Sequence, residues 1–196
     1  MSRLFESILV AGGRLMNIER HNERMNRSRF ELSGAKEELR LEEAIEIPPE
    51  LTCGEYKCTV IYDRKILEAS FQKYKRRTIR SLKIVECDDM EYSHKYLDRS
   101  LINLLFEQRG ECDDILIVRN GLMTDASFAN VVFRDGNRLI TPSKPLLRGT
   151  RRQKLIDEGI VIPEPVRISD LNRFREAFLV NAMLDLDEKH PVKVIH

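Results

Sequence analysis

The sequence lacks a strong excess of charge of either sign. Its 196 residues include 33 lysines and arginines and 32 acids, which leaves a net charge of +1. Such a balance provides no basic field to attract nucleic acid. Long hydrophobic runs are also missing, because even a largely apolar stretch such as Ala177–Met183 is far too short to span a bilayer. We therefore expect neither nucleic acid nor a membrane as a partner.

Clusters of metal-binding residues are missing as well. The four histidines are scattered, and no group of cysteines and histidines has the spacing of a zinc site. We expect no metal and interpret the cysteines as free thiols. The N-terminal residues Met1–Glu6 include an acid where a signal peptide requires apolar residues. A cytoplasmic location is the expectation.

What is present is the composition of a globular protein, with 42% hydrophobic and 33% charged residues. Apolar patterns in the first half predict strands at Phe5–Val10, Arg14–Ile18, Glu55–Tyr62, Ile66–Phe71 and Ser81–Val85, with helices at Glu19–Leu32 and Ala35–Ala44. In the second half they predict helices at Leu97–Gln108, Arg151–Glu158 and Ile168–Phe174, with strands at Ile115–Arg119, Asn130–Phe133, Arg138–Ile140 and Ala177–Ala182. An acidic stretch separates the halves. We predict an α+β fold with an N-terminal domain (1–87), a linker (88–91) and a C-terminal domain (92–196).

Five segments could carry chemistry, although each alone has an ordinary interpretation. Lys95 stands near a predicted helix start, Asp125 between strands, Arg24 on a helix, Gly149–Arg152 before a helix and Asn181 near the end of a strand. Together they supply what pyridoxal 5′-phosphate (PLP) requires. The lysine amine can bind the cofactor, a carboxylate can keep its pyridine nitrogen protonated, and a cationic, amide-lined segment can bind its phosphate.

The order of these segments resembles the class IV aminotransferase family, the fold-type IV PLP enzymes. His21–Arg24 matches the His-x-x-Arg segment of that family, Lys95 its Schiff-base lysine, and Asp125–Asn130 the motif of its ring-nitrogen acid. Gly149–Arg152 matches its phosphate loop. The resemblance is clear over about residues 92–186 and fainter over 4–30. Asp125 replaces the usual glutamate, and Arg151 stands where threonine is commoner.

The resemblance implies a two-domain architecture like that of D-amino acid aminotransferase, with PLP in the cleft between the domains. Because the chain starts at about the family's first Phe-Glu-Thr strand, we expect a shortened N-terminal domain. A homodimer acting on a small amino substrate is also implied. Lys95 is the implied catalytic residue. The cofactor-binding residues implied are Arg24, Lys95, Asp125, Asn130, Gly149, Thr150, Arg151, Asn181 and Ala182.

Within the family, the lyase branch is the more similar. The segment Lys95–Arg99 is close to the Lys-x-Leu-Asn-Arg of that branch, and the glycine-rich stretch of branched-chain enzymes is absent. The pairs Ala129-Asn130 and Asn181-Ala182 are also similar to it. The branch implies 4-amino-4-deoxychorismate lyase, which forms 4-aminobenzoate and pyruvate for folate synthesis.

Two alternatives remain open from the sequence. One is a branched-chain or D-amino acid aminotransferase, which would share all the cofactor residues. The other is an inactive relative that acts as a binding protein. The carboxylates of a substrate would need cationic partners, and the candidates for this role are Arg77, Arg80 and Arg99.

Overall fold

The computed structural model describes residues 2–195, which form two compact units. The first unit contains the chain up to residue 76 together with residues 94–98, and the second contains residues 77–93 and the chain from residue 99 onward. Both units mix helices and strands, in agreement with the predicted α+β class. Residues 88–91 lie inside the second unit. The division into domains at 1–87 and 92–196 stays a prediction.

The first unit is built on a four-stranded antiparallel sheet with the strand order β2-β1-β3-β4. Its elements are β1 (Leu4–Ala11), β2 (Arg14–Leu15), α1 (Ile18–Ser33), α2 (Leu41–Ala44), β3 (Glu55–Tyr62) and β4 (Ile66–Lys73). Alternate residues of β1 are buried, as expected for a strand with one face on the core. Leu4, Ile8 and Val10 join Met25 of α1 in this core.

The predicted helix over Ala35–Ala44 is wrong for its first part, since only α2 is helical there. Side chains of α1 bind the backbone that a helix would need. The Asn26 amide donates to the carbonyl of Leu39 and accepts from its N–H, while Arg29 donates to the carbonyl of Glu37. Because these groups are already paired, residues 35–40 run without regular structure along α1.

The second unit is built on an eight-stranded mixed sheet. Seven strands follow the order β10-β9-β8-β7-β6-β5-β12, and β11 pairs with β8. The strands are β5 (Ser81–Glu86), β6 (Asp114–Arg119), β7 (Leu122–Ala126), β8 (Asn130–Asp135), β9 (Arg138–Pro142), β10 (Ile162–Glu164), β11 (Glu176–Val180) and β12 (Lys193–Ile195). The helices are α3 (Ser100–Phe106), α4 (Thr150–Asp157) and two 3₁₀ helices, Glu107–Arg109 and Ile168–Arg173. The segment predicted as a helix from Ile168 is thus 3₁₀ rather than α.

Helix α3 begins at Ser100, three residues later than predicted. The cause is that the preceding residues extend the sheet of the first unit. Tyr96 forms an isolated bridge to Leu4, and the N–H of Leu97 donates to the carbonyl of Arg3. Within residues 2–195 no helix combines the length and the apolar character that a membrane span requires.

Candidate functional site

A buried ionic cluster lies beneath the first unit's sheet. Glu6 occupies an inward position of β1 and is fully buried. His21 and Arg24, three residues apart on one face of α1, both reach it. Arg24 donates from Nε to Oε1 at 2.9 Å and from Nη2 to Oε2 at 2.5 Å, and His21 Nδ1 lies 2.6 Å from Oε2. Arg24 is therefore a buried, paired residue of the interior and not part of a solvated helix face.

The cluster contains an ionised carboxylate. Burial opposes ionisation, but the charge of Arg24 and the hydrogen bonds from His21 and Arg24 outweigh it and lower the pKa of Glu6 to about 2. Burial also lowers the pKa of His21, so its ring is neutral near pH 7. Because an ionised carboxylate can only accept, the neutral ring must donate its Nδ1–H to Glu6. The cluster thus carries one negative and one positive charge.

Lys95 lies against β1, beside the residue that precedes Glu6. Its carbonyl accepts from the N–H of Phe5 at 3.0 Å, and its Nζ lies 4.4 Å from the centroid of the Phe5 ring. Burial is the main cause of the lowered pKa of His21, and the charge of Lys95 acts in the same direction. The first unit therefore brings the predicted residues Lys95 and Arg24 to the same end of one strand.

In the second unit, a tight loop joins β7 to β8 and presents Asp125 and Asn130 side by side. The two residues are register partners, and the N–H of Ala126 donates to the carbonyl of Ala129 at 2.9 Å. The Asn130 amide donates to Asp125 Oδ1 at 2.7 Å, and the N–H of Leu147 donates to Oδ2 at 2.8 Å. Each carboxylate oxygen thus receives one hydrogen bond.

Asp125 is only 5% exposed. Burial raises the pKa of this carboxyl to about 6, against the opposing hydrogen bonds from Leu147 and Asn130 and the charge of Arg152. Because this buried carboxylate forms no ion pair among residues 2–195, a positive group in contact with it would stabilise its ionised form. The protonated nitrogen of a pyridine ring would be such a partner.

The predicted phosphate segment forms the start of helix α4. Gly149 precedes the helix, and no side chain caps it. A Cβ at Gly149 would lie 2.0 Å from Oδ1 of Asn130, so the close approach of these two residues requires glycine. Thr150 is buried, and the buried Nε of Arg151 has no hydrogen-bond partner among residues 2–195. An uncapped helix start beside an unsatisfied cationic donor suits an anion.

The remaining predicted residues lie at two places in the second unit. The Asn181 amide donates to the carbonyl of Phe128 at 3.2 Å, and Ala182 follows it, half-buried. Arg99 donates to the carbonyl of Ser127 at 2.5 Å. The guanidinium of Arg77 stacks on the ring of Phe128. Arg80 lies at a different place, beside Asp113, which accepts from its backbone N–H at 2.7 Å.

Two acids that the sequence analysis did not select, Glu6 and Asp114, are buried in these clusters, as is Arg152 at the end of the predicted phosphate segment. Glu6 had a detectable signal, since it is an acid at an inward position of an alternating strand. Asp114 accepts from the N–H and hydroxyl of Ser127 at 3.2 and 3.0 Å. Arg152 donates to the carbonyl of Pro142 at 2.8 Å. No local pattern distinguishes Asp114 from a surface charge, whereas Arg152 stands in the segment Gly149–Arg152 that matches the phosphate loop.

Comparison with known proteins identifies the family. The sequence profile of the class IV aminotransferases matches residues 3–186. The chain belongs to this family. A protein of uncharacterised function from Haemophilus influenzae is 40% identical over 185 residues, which are 93% of this chain and 98% of that protein. The predicted family and fold class are therefore confirmed.

Solved structures of related proteins have a similar fold. A crystal structure from Haemophilus somnus 129PT, provisionally named 4-amino-4-deoxychorismate lyase, is 35% identical with a TM-score of 0.89, covering 95% of this chain and 98% of that one. A provisionally named amino-acid aminotransferase from Mesorhizobium loti is 22% identical with a TM-score of 0.82 over the whole of both chains. At that identity the likeness concerns the fold alone.

The cofactor of the family is PLP, as predicted. A hypothetical aminotransferase of Mycobacterium tuberculosis, 21% identical with a TM-score of 0.79 over 98% of this chain and 81% of that one, has been solved in a PLP-bound form. The residues of this chain fit the group. The buried carboxylate of Asp125 forms no ion pair among residues 2–195. At the uncapped start of α4, Arg151 pairs with Asp185 at 3.4 Å through Nη1, while its buried Nε has no hydrogen-bond partner among the described residues.

Proposed function

We propose that the protein is a PLP-dependent 4-amino-4-deoxychorismate lyase, which releases pyruvate and leaves 4-aminobenzoate. The observation that carries the proposal is the likeness to the Haemophilus somnus protein of that provisional name, 35% identical across nearly the full length of both chains. The lyase-like segment Lys95–Arg99 supports it. The pairs Ala129-Asn130 and Asn181-Ala182, which are similar to those of the lyase branch, also support it. Asn130 donates to Asp125, and Asn181 donates to the carbonyl of Phe128.

The residues of the chain have separate tasks in this proposal. Lys95 binds the cofactor covalently through its Nζ. Asp125 holds the proton on the ring nitrogen, and Asn130 holds Asp125 in place. Arg24 and the segment 149–151 bind the phosphate. When bound, PLP supplies an electron sink for the carbon that carries the substrate nitrogen.

Lys95 also acts on the substrate. Once the substrate amine has replaced Lys95 on the cofactor, the Nζ of Lys95 would be a free neutral amine that can accept the proton from the carbon that carries the nitrogen. The carbon–oxygen bond on the neighbouring carbon then breaks, and the leaving enolpyruvate becomes pyruvate. The substrate ring is left as 4-aminobenzoate, so atoms balance without a second substrate. A transaminase would instead require a keto acid as acceptor.

The test is to compare the two reactions on one preparation. We expect the purified protein to release pyruvate and 4-aminobenzoate from aminodeoxychorismate without a keto acid. Branched-chain and D-amino acids with 2-oxoglutarate should react slowly. The ratio of kcat/KM values measures the difference in transition-state binding. Transamination faster than elimination would reject the lyase and favour an aminotransferase.

A second measurement tests the cofactor residue itself. The protein with PLP should be yellow, and borohydride reduction followed by peptide mapping should find the label on Lys95. Label on Lys83 or Lys65 would show that another lysine binds the cofactor. A protein that stays colourless with added PLP would instead indicate an inactive relative.

A further inference from the structure

Two arginines that contact one loop of the second unit, Arg77 and Arg99, have no acidic partner among the described residues. Arg77 and Arg99 form no ion pair with any residue of the described range 2–195, although the chain contains 32 acids. By contrast, the half-buried arginines Arg109, Arg134 and Arg151 of this unit are paired with carboxylates. Unneutralised guanidinium groups at one place create a positive potential that attracts anions.

Aromatic rings hold Arg77 in place. Its guanidinium carbon lies 5.3 Å from the centroid of the Phe128 ring and 5.9 Å from that of Phe106. Both distances are within the range of a cation–π contact. Stacking on ring faces satisfies no N–H group, so the donors at the edge of the plane are kept for another acceptor. The side chain is also exposed to solvent, so a ligand can reach it.

A neutral group holds Arg99. Its Nη2 donates to the carbonyl of Ser127, and its buried Nε has no hydrogen-bond partner among the described residues. A carbonyl positions a guanidinium without neutralising its charge. Arg99 is therefore held in place and still lacks an anion.

The two arginines contact consecutive residues of one loop. Ser127 and Phe128 follow Asp125 within three positions, and Asp114 anchors this loop by accepting from the N–H and hydroxyl of Ser127. A loop fixed in this way sets the position of both cations relative to the Asp125 carboxylate. In the proposed function, that carboxylate marks the ring of the cofactor.

We propose that Arg77 and Arg99 form a subsite that binds the carboxylates of the substrate and selects amino substrates with two carboxylates. The inference rests on the proposed function, since it places the subsite beside Asp125. Aminodeoxychorismate has one carboxylate on its ring and one on its enolpyruvyl group. A branched-chain amino acid has one carboxylate and an apolar side chain, which the cations of Arg77 and Arg99 would bind poorly.

The probe for this subsite is chorismate. It carries both carboxylates but a hydroxyl in place of the amine, so it can bind without the amine chemistry. We expect isothermal titration of the PLP-loaded protein to show tighter binding of chorismate than of benzoate. Arg77→Met and Arg99→Met should each weaken chorismate binding by about 10-fold or more, because a charge-assisted hydrogen bond contributes about that factor.

Arg109→Met is the matched control. Arg109 also stacks on Phe106, at 4.1 Å, but it has an acidic partner in Glu107. Its replacement should leave chorismate affinity unchanged, and the absorbance of bound PLP should be the same in all three variants. If Arg99→Met fails to fold, Arg77→Met and Arg77→Lys decide, because lysine keeps the charge and loses the planar fork.

The result that would overturn the subsite is chorismate affinity that is unchanged in Arg77→Met, or no greater than benzoate affinity in the wild type. This result is separate from the fate of the proposed function. Arginine-dependent chorismate binding without pyruvate release would reject the lyase and retain the subsite. Pyruvate release that is unchanged in both arginine variants would support the lyase and reject the subsite.

Discussion

The change Glu6→Gln tests the buried cluster of the first unit most directly. Glutamine keeps the shape of the side chain and removes its charge, so Arg24 would remain buried without a counter-charge. A pKa lowered from 4.5 to about 2 corresponds to about 3 kcal/mol in favour of the ionised form. Breaking one partner of a buried ion pair typically costs about 3–5 kcal/mol, which agrees.

We therefore expect the free energy of unfolding in urea to fall by about 3 kcal/mol in Glu6→Gln, and Tm by roughly 6–12 °C. Glu43→Gln is the control, because Glu43 is 70% exposed and 3.6 Å from Arg40, and should change stability by less than about 0.5 kcal/mol. In the double variant Glu6→Gln/Arg24→Met, the loss should be clearly smaller than the two single losses added together.

The pH dependence of the free energy of unfolding provides an independent test of the ion pair. Because the pKa of Glu6 is lower in the folded protein than in the unfolded chain, its stabilisation is fully present above about pH 4.5 and is lost as the pH falls toward 2. The stability difference between wild type and Glu6→Gln should shrink over that window. A difference below about 0.5 kcal/mol at pH 7, or one that grows on acidification, would refute the buried ion pair.

Three further changes test the second unit and the phosphate contact. Asp125→Asn should leave PLP bound but largely abolish turnover, because an amide does not hold the ring-nitrogen proton as a carboxylate does; wild-type kcat would remove Asp125 from the mechanism. In the cofactor-free protein the folded pKa of Asp125, about 6, lies above the usual 3.8, so wild type should lose stability relative to Asp125→Asn as the pH rises through this window. Gly149→Ala should destabilise by about 1–3 kcal/mol, because its Cβ would displace Asn130; an unchanged urea midpoint would contradict that contact. Arg24→Ala should weaken PLP affinity, measured by absorbance titration, by about 1.5–3 kcal/mol, and unchanged affinity would remove Arg24 from the phosphate site.

The local elements of the fold could be predicted well. Alternation of apolar and polar residues indicated β1 and β3. The pair Asn120-Gly121 is typical of a two-residue hairpin turn, and both residues adopt positive φ, 51° and 71°. These features depend on neighbours along the chain. The family and its cofactor could also be predicted, because the order of Lys95, Asp125 and the loop at 149–152 is written in the sequence.

Residues 35–40, the first part of the helix predicted over Ala35–Ala44, show where local patterns fail. These residues favour a helix when considered alone, but Asn26 and Arg29 bind the backbone groups that the helix would use. The competing partners come from a segment up to 13 residues away. A pattern taken from residues 35–40 alone does not include these partners. Tertiary contacts therefore overrode the local preference.

The sequence by itself determined which chemical groups the protein carries and in what order, because strand, turn and motif signals are local. Only the tertiary structure decided the state of those groups. Glu6 is ionised because Arg24, 18 residues away, pairs with it. Asp125 is harder to ionise than an exposed carboxyl because burial raises its pKa, against the opposing hydrogen bond from Leu147, which is 22 residues away. Burial and pairing of charges arise between segments that are distant along the chain, and they set the pKa values on which the chemistry depends.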